Sequence, residues 1–170
     1  MSGISFDERA KEIVKKELLM NSLAKTMQIA RIEIRNEQNY YICRAWNPVT
    51  PIQNQIGTVS GGVGYSLMEI AGELLIRTIL PDYLVSPKIS TVKFRRWVPG
   101  PFAFVKCVIL KDSEENMNIE KMKHENIESD IQVEVGMYSV NEVGDDIQDT
   151  TVLSQFLMEF QFHVTPHFRL

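Results

Sequence analysis

Residues 54–80 read NQIGTVSGGVGYSLMEIAGELLIRTIL, a polar loop punctuated by glycine that runs into the most apolar helical stretch of the chain. Glycines at 57, 61, 62 and 64 let the backbone take conformations closed to other residues, and let another group come close to the peptide. Behind the loop, Val63, Leu67, Ile70, Ala71, Leu74 and Leu75 recur at helical spacing. Tyr65, Met68 and Ile76 make the opposite side apolar too, which predicts a core helix wrapped by other structure. One stripe through it is polar: Ser66, Glu69, Glu73 and Arg77 follow at steps of three and four. Glu73 has Arg77 four residues on, the favourable order for a helical ion pair, and this points to a structural role. Glu69 has no such partner. A carboxylate in a mostly apolar helix is expensive to bury, and this one follows a loop whose free N–H groups can hold an anion or a polarised carbonyl. Its chemistry alone leaves a functional and a structural role equally open.

Composition sets the outer limits. A chain of 170 residues that is 44% hydrophobic and 24% charged fits one globular domain, 1–170, with a sizeable core. A net charge of −4 gives no global attraction to nucleic acid. The sequence offers neither a membrane-length apolar run nor a cationic leader, so the expectation is a soluble cytoplasmic protein without a membrane span. Cys43 and Cys107 each lie among apolar or aromatic residues, which favours buried thiols over a disulfide or zinc framework.

Outward from the central stretch the elements follow in order. Ser5-Phe6-Asp7-Glu8 has the capping-box pattern, and Ala10, Ile13, Val14 and Leu18 form the apolar stripe of a helix over about 5–25. Met27 to Arg35 alternates, Asn36-Glu37-Gln38-Asn39 breaks it, and Tyr40 to Trp46 is a second strand. After the central helix, Pro81 and Pro87 bracket a connection, Lys88 to Val98 reads as a strand, Pro99-Gly100-Pro101 turns the chain, and Phe102 to Lys111 returns. Residues 112–130 form a charged insert with little apolar pattern, expected to be a solvated loop or frayed helix. Ile131 to Asn141 and Val152 to Val164 complete the strands. With no βαβ alternation, this order predicts an α+β layer in which an antiparallel sheet wraps one central helix, with an extra N-terminal helix outside it.

In that element order, from Met27 to Val164, the chain resembles the hotdog-fold thioesterase superfamily. The motif resemblance is narrower. In thioesterases of the phenylacetate-degradation branch and their uncharacterised relatives, an asparagine precedes a His-Gly-Gly turn, and a carboxylate follows eight residues after the first of those glycines. Asn54, Gly61 and Glu69 reproduce that spacing, and Asn54-Gln55-Ile56-Gly57-Thr58 looks like the loop of the uncharacterised group. Ser60 stands where the family has histidine, a residue that is not the nucleophile there.

The resemblance implies hydrolysis of an acyl-CoA or similar thioester. Gly61 would offer its N–H to the thioester oxygen, with Ser60 and Gly62 beside it. Asn54 would orient the water or the carbonyl, and Glu69 would act as general base or as nucleophile through a mixed anhydride. Tyr65 and Met68 would line the acyl pocket, and Lys93, Arg95 and Arg96 would meet the phosphates of coenzyme A. The plainer reading of those three cations is an exposed strand face kept soluble. No cofactor and no metal is expected: His163 and His167 have a metal-like spacing, but Pro166 lies between them and no second ligand pair accompanies them. Neither a phosphate loop nor a nucleophile elbow is present.

Two further readings stay open beside hydrolysis. One is a non-catalytic module of the same fold that binds acyl-CoA or a fatty-acyl group, which the missing histidine favours and the Glu69 carboxylate opposes. The other, ranked last, is the hydratase branch, which requires a histidine that residues 54–80 lack. Assembly follows from helix geometry. Glu69 lies about 12 Å along the axis from Gly61, so one carbonyl cannot touch both groups of one chain. The expectation is a homodimer, or a dimer of dimers, whose sites are shared between subunits.

Overall fold

The computed structural model describes residues 4–147 and 154–167. Helix α1 spans Phe6–Met20 and opens with the expected capping box, in which the Ser5 hydroxyl accepts from the Glu8 N–H while the Glu8 carboxylate accepts from the Ser5 N–H. The helical segment does not continue unbroken to Lys25. Asn21 interrupts it in an extended conformation, and its Oδ1 takes the Leu23 and Ala24 amides at 2.8 and 3.2 Å, starting a separate short helix α2, Ser22–Met27. Asparagine competes for backbone donors in this way and so favours helix starts over helix interiors. Gln28 then turns left-handed, and the first strand, β1, begins only at Arg31 and ends at Asn36.

Strand β2 is Tyr40–Pro48, the central helix α3 is Gly61–Ile79, and β3 is Tyr83–Phe94. Strand β4 (Phe102–Leu110), helix α4 (Glu114–Glu125), β5 (Ser129–Val140) and β6 (Phe156–Pro166) complete the chain. The start expected for the last strand, Val152, lies outside the described residues. All six strands join one antiparallel sheet in the order β1-β2-β4-β5-β6-β3. Strand β3 starts earlier than Pro87 suggested. Proline lacks a ladder donor but is tolerated on an edge, and β3 is the edge strand, with its register shifting between Pro87 and Ile89.

Helix α3 packs against β2, β3, β4, β5 and β6, with Leu67, Met68, Leu74, Leu75 and Ile76 almost wholly buried. Its glycines explain how it comes so near. Of the four glycines in the quoted loop only Gly57 has a left-handed φ, 76°, whereas Gly61, Gly62 and Gly64 belong to the helix itself. Their use is mostly steric. A Cβ at Gly64 would lie 2.8 Å from the Phe156 ring, one at Gly72 3.0 Å from Phe162, and one at Gly61 3.2 Å from Phe94. Gly62 faces open space.

The charged insert corrects the sequence reading. It forms α4, whose N-cap Ser113 accepts from the Asn116 N–H at 3.2 Å, and whose Ile119 and Met122 are fully buried in the core. The Tyr83 hydroxyl donates to the Met122 carbonyl at 2.6 Å. Two apolar side chains three residues apart on a charged helix are enough to hold one face down, but too few to raise a periodic signal. Removing 113–128 would therefore open the core rather than trim a solvated loop.

The glycines of α3 give an internal control. Gly62→Ala should raise the melting temperature, because alanine favours helix by about 0.5–1 kcal/mol and meets nothing here. Gly64→Ala should lower it despite the same propensity gain, since overpacking costs about 1–3 kcal/mol. Thermal unfolding followed by circular dichroism separates the two; equal shifts would contradict the proposed seating of α3.

Candidate active site

The segment before α3 is a tight loop built by Asn54. Its backbone N–H donates to the Thr58 carbonyl at 2.7 Å, and its Oδ1 accepts from the amides of Ile56 and Thr58 at 3.0 and 3.3 Å. This is the asparagine habit of closing a turn with its own side chain. It leaves the Nδ2 of Asn54, and not its carbonyl oxygen, as the group to present. The loop is pinned beneath as well: the Ser60 N–H donates to the Ile52 carbonyl and the Val59 N–H to the Val98 carbonyl, at 2.9 and 3.0 Å.

Ser60 is the N-cap of α3 but makes no side-chain cap, so the first helical amides, Gly61 and Gly62 among them, point out of the helix end without the usual serine acceptor. Gly61 lies on a cavity of about 360 Å³ lined also by Asn54, Val59, Phe94, Arg95, Arg96, Trp97 and Phe156. The positive end of the α3 dipole thus borders a recess whose lining includes Arg95 and Arg96, an environment suited to a developing oxyanion or a phosphate.

Glu69 is half-buried two turns further along the same helix. Burial raises its carboxyl pKa above the ordinary 4.5, and the Tyr65 hydroxyl one turn earlier offsets this only in part. Tyr65 packs edge-on against Phe160 with ring centroids 5.6 Å apart, and its oxygen accepts from Ser90 Oγ at 3.3 Å. Glu73 behaves as read from the sequence: Arg77 Nη1 lies 3.2 Å from its Oε1, and Glu17 of α1 joins the same guanidinium at 3.5 Å. Helix α1 therefore covers the C-terminal end of the polar stripe. Ser66 and Glu69, nearer the N-terminal end, remain partly open.

Asn54, Gly61, Arg95 and Arg96 thus come together, whereas Glu69 does not line their cavity. Two of the expected contacts are corrected. Met68 has no exposed surface and belongs to the core between helix and sheet. Lys93 alternates with Phe94 along β3, so it points away from α3 and pairs with Glu159 at 2.9 Å on the far face of the sheet. Sequence reasoning missed Gln155 and Trp97. Gln155 takes the Arg95 and Arg96 amides on its carbonyl at 2.8 and 3.1 Å, and donates its Nε2 to the Trp97 carbonyl at 2.8 Å. A lone glutamine ahead of a strand carries no sequence signal for that task. His163, read from the sequence as an ordinary histidine without a second ligand pair, faces Asp130 across the sheet at 2.9 Å. Among the described residues, no group of His, Cys, Asp and Glu is arranged to hold a metal, and no helix is long and apolar enough to cross a membrane.

No protein-family profile matches the chain, and no curated protein matches it. Solved structures do. A protein of unknown function from Chlorobaculum tepidum superposes with a TM-score of 0.74 at 18% identity, over 98% of this chain and 99% of that one. A Pseudomonas aeruginosa protein of unknown function, termed a probable thioesterase, gives 0.66 at 19% identity over 92% and 95%. A thioesterase from Haemophilus influenzae gives 0.64 at 13% identity over 99% and 95%. The chain has the hotdog fold. At these identities the likeness concerns architecture, and within the hotdog sheet α3 is the wrapped central helix.

Because burial holds the Glu69 pKa up, the folded chain binds a proton there at a pH where the unfolded chain has lost it. Stability contributed by this site therefore falls as pH rises through the interval above 4.5. Glu69→Gln should raise the melting temperature at pH 7, with the gain shrinking as pH falls towards 4. A loss of stability at pH 7 would make Glu69 a structural residue.

Proposed function

We propose that this hotdog chain hydrolyses a thioester of the acyl-CoA kind, working as a homodimer with two shared sites. The observation that carries the reading is Glu69: a half-buried carboxylate with a raised pKa and no cationic partner among the described residues, in the polar stripe of α3. Natural helices rarely keep such a group without a use for it. The thioesterase names borne by neighbours from Pseudomonas aeruginosa and Haemophilus influenzae support the same reaction class.

The proposed mechanism gives each group one task. The Gly61 N–H, aided by the helix dipole and flanked by Gly62 and Ser60, receives the thioester oxygen as charge builds on it. Asn54 Nδ2 holds the water or the carbonyl. Glu69 takes a proton from water as the water oxygen bonds to the thioester carbon; the C–S bond then breaks and the thiolate leaves with that proton, giving acid and thiol. In the nucleophilic variant Glu69 itself bonds to the carbon, expels the thiolate, and the mixed anhydride is cleaved by water. Tyr65 borders the acyl side.

Within one chain Gly61 and Glu69 are about 12 Å apart along α3, too far for one carbonyl. A second copy supplies the missing half. The edge strand β3 exposes its ladder together with Leu84, Ile89, Val92 and Phe94, an apolar edge that a two-fold partner would cover. Two such dimers could stack further.

One observation favours the alternative, a silent module that binds acyl-CoA: Asn54 Oδ1 is already committed to its own loop, and Ser60 offers no ring nitrogen. Thiol release from short, medium, long and aromatic acyl-CoA esters decides between them. At least one ester should be cleaved, with Glu69→Gln slower by on the order of a hundredfold or more. The rate should rise with pH as Glu69 loses its proton, with a midpoint above 4.5. Binding without cleavage selects the silent module, and cleavage unchanged by Glu69→Gln removes Glu69 from the site.

A further inference from the structure

Gly61, Tyr65 and Glu69 follow one another at steps of four, so they share one stripe of α3. Tyr65 stands between the two groups that the thioester reading uses. Its ring is half-buried and meets Phe160 of β6 edge-on, with centroids 5.6 Å apart. A phenylalanine would make the same contact, and what tyrosine adds is a hydroxyl. That hydroxyl is engaged by the edge strand: Ser90 Oγ of β3 donates to it at 3.3 Å. Accepting from Ser90 leaves the phenolic hydrogen free to donate, and it serves the Glu69 carboxylate one turn on. A hydroxyl that accepts one hydrogen bond donates the next more strongly, so Ser90 reinforces the bond to Glu69.

The other surroundings of Glu69 do not hold it. Glu73, one turn further along, repels its charge and is itself tied to Arg77, which Glu17 of α1 shares. From the sheet, β3 and β6 bring Ser90 and Phe160 to Tyr65, neither of them charged, and the β3 cations Lys88 and Lys93 are paired with Asp130 and Glu159. Strands β2, β4 and β5 give the core apolar side chains and the buried thiols of Cys43 and Cys107. Among the described residues, the Tyr65 hydroxyl is therefore the group that favours the charged carboxylate. A long carboxylate with no fixed partner samples several rotamers, whereas a base or nucleophile has to meet its target in one.

We propose that Tyr65 is a positioning residue for Glu69, its hydroxyl held by Ser90 and its ring by Phe160, so that the carboxylate keeps one orientation towards the reacting carbon. The inference rests on the thioester reading for its use, whereas the contact itself does not depend on it. It gives Ser90, an unremarkable strand residue, a task in the site. The hydroxyl works against burial by favouring the charged form, so its loss raises the Glu69 pKa further.

Carbon-13 NMR titration of the Glu69 carboxyl in the full chain, assigned by its absence from Glu69→Gln, tests the contact. It is paired with pH profiles of thiol release from an acyl-CoA ester. Tyr65→Phe keeps the ring on Phe160 and removes only the hydroxyl. Its Glu69 midpoint should move to higher pH, and Ser90→Ala should move the midpoint the same way by less. Tyr65→Phe should also lower kcat by roughly tenfold, the scale of one hydrogen bond to a charged group, with KM near that of wild type. Its pH profile should be displaced upward together with the NMR midpoint. A Glu69 midpoint that Tyr65→Phe leaves in place or lowers overturns the proposal, whatever happens to the melting temperature. A midpoint that moves with Tyr65→Phe but not with Ser90→Ala overturns it too. Displaced NMR midpoints in a chain that cleaves no ester support the Tyr65 contact and remove the hydrolase reading.

Discussion

Helix α3 can lie deep against its sheet because Gly64 and Gly72 carry no side chains. Two turns apart on one side of the helix, they admit the rings of Phe156 and Phe162 from β6, so that strand and helix meet at distances no Cβ would allow. Close packing of this kind is bistable rather than elastic, and one methyl group is enough to shift it. The seating fixes the rest. It brings Gly61 under Phe94 of β3 and places it on the arginine-lined recess. It also leaves one face of the helix for the polar stripe, because the opposite side is consumed by five strands.

That stripe is divided between two uses. At its C-terminal end Glu73, Arg77 and Glu17 tie α1 to α3, an arrangement of charges that satisfies itself. At its N-terminal end Glu69 is opposed by burial and helped only by Tyr65, so ionising it costs more than it would in water. A base needs that property, since a carboxylate at its ordinary pKa has little appetite for a proton from water. The cost is tolerable because Glu69 is only half-buried in the single chain. A second chain placed along β3 would dry the same face and raise the effect.

Much of this is legible in the sequence, for reasons that can be named. The periodicity of residues 63–80 marks α3 because its apolar residues outnumber its polar ones on every side, and Glu73 with Arg77 reads correctly because an i, i+4 pair is local. The spacing of Asn54, Gly61 and Glu69 points to one loop and one helix, and of the three residues Asn54 and Gly61 line a common recess while Glu69 lies outside it. Long-range facts are less visible. Lys93 looks equivalent to Arg95 and Arg96 in a string of cations, but it lies on β3 and pairs across the sheet with Glu159 of β6, whereas the arginines follow the end of the strand. Met68 looks like pocket lining because it neighbours Glu69, yet a helix rotates successive residues by about 100°, and that rotation carries it into the core. The apolar packing of α4 depends on Ile119 and Met122, and the segment around Trp97 is held largely by one glutamine, Gln155, whose partners lie on β5 and just beyond the end of β3.

The central claim is that Gly61 and Asn54 of one chain work with Glu69 of another. Subunit complementation tests it most directly. Asn54→Ala and Glu69→Gln chains, each inactive alone, are mixed under conditions that exchange subunits, and thioester hydrolysis is measured on the purified heterodimer. The shared-site account predicts recovery to about half of wild-type turnover, because one of the two sites in each heterodimer carries both native partners. A heterodimer with no activity above its parents would contradict it.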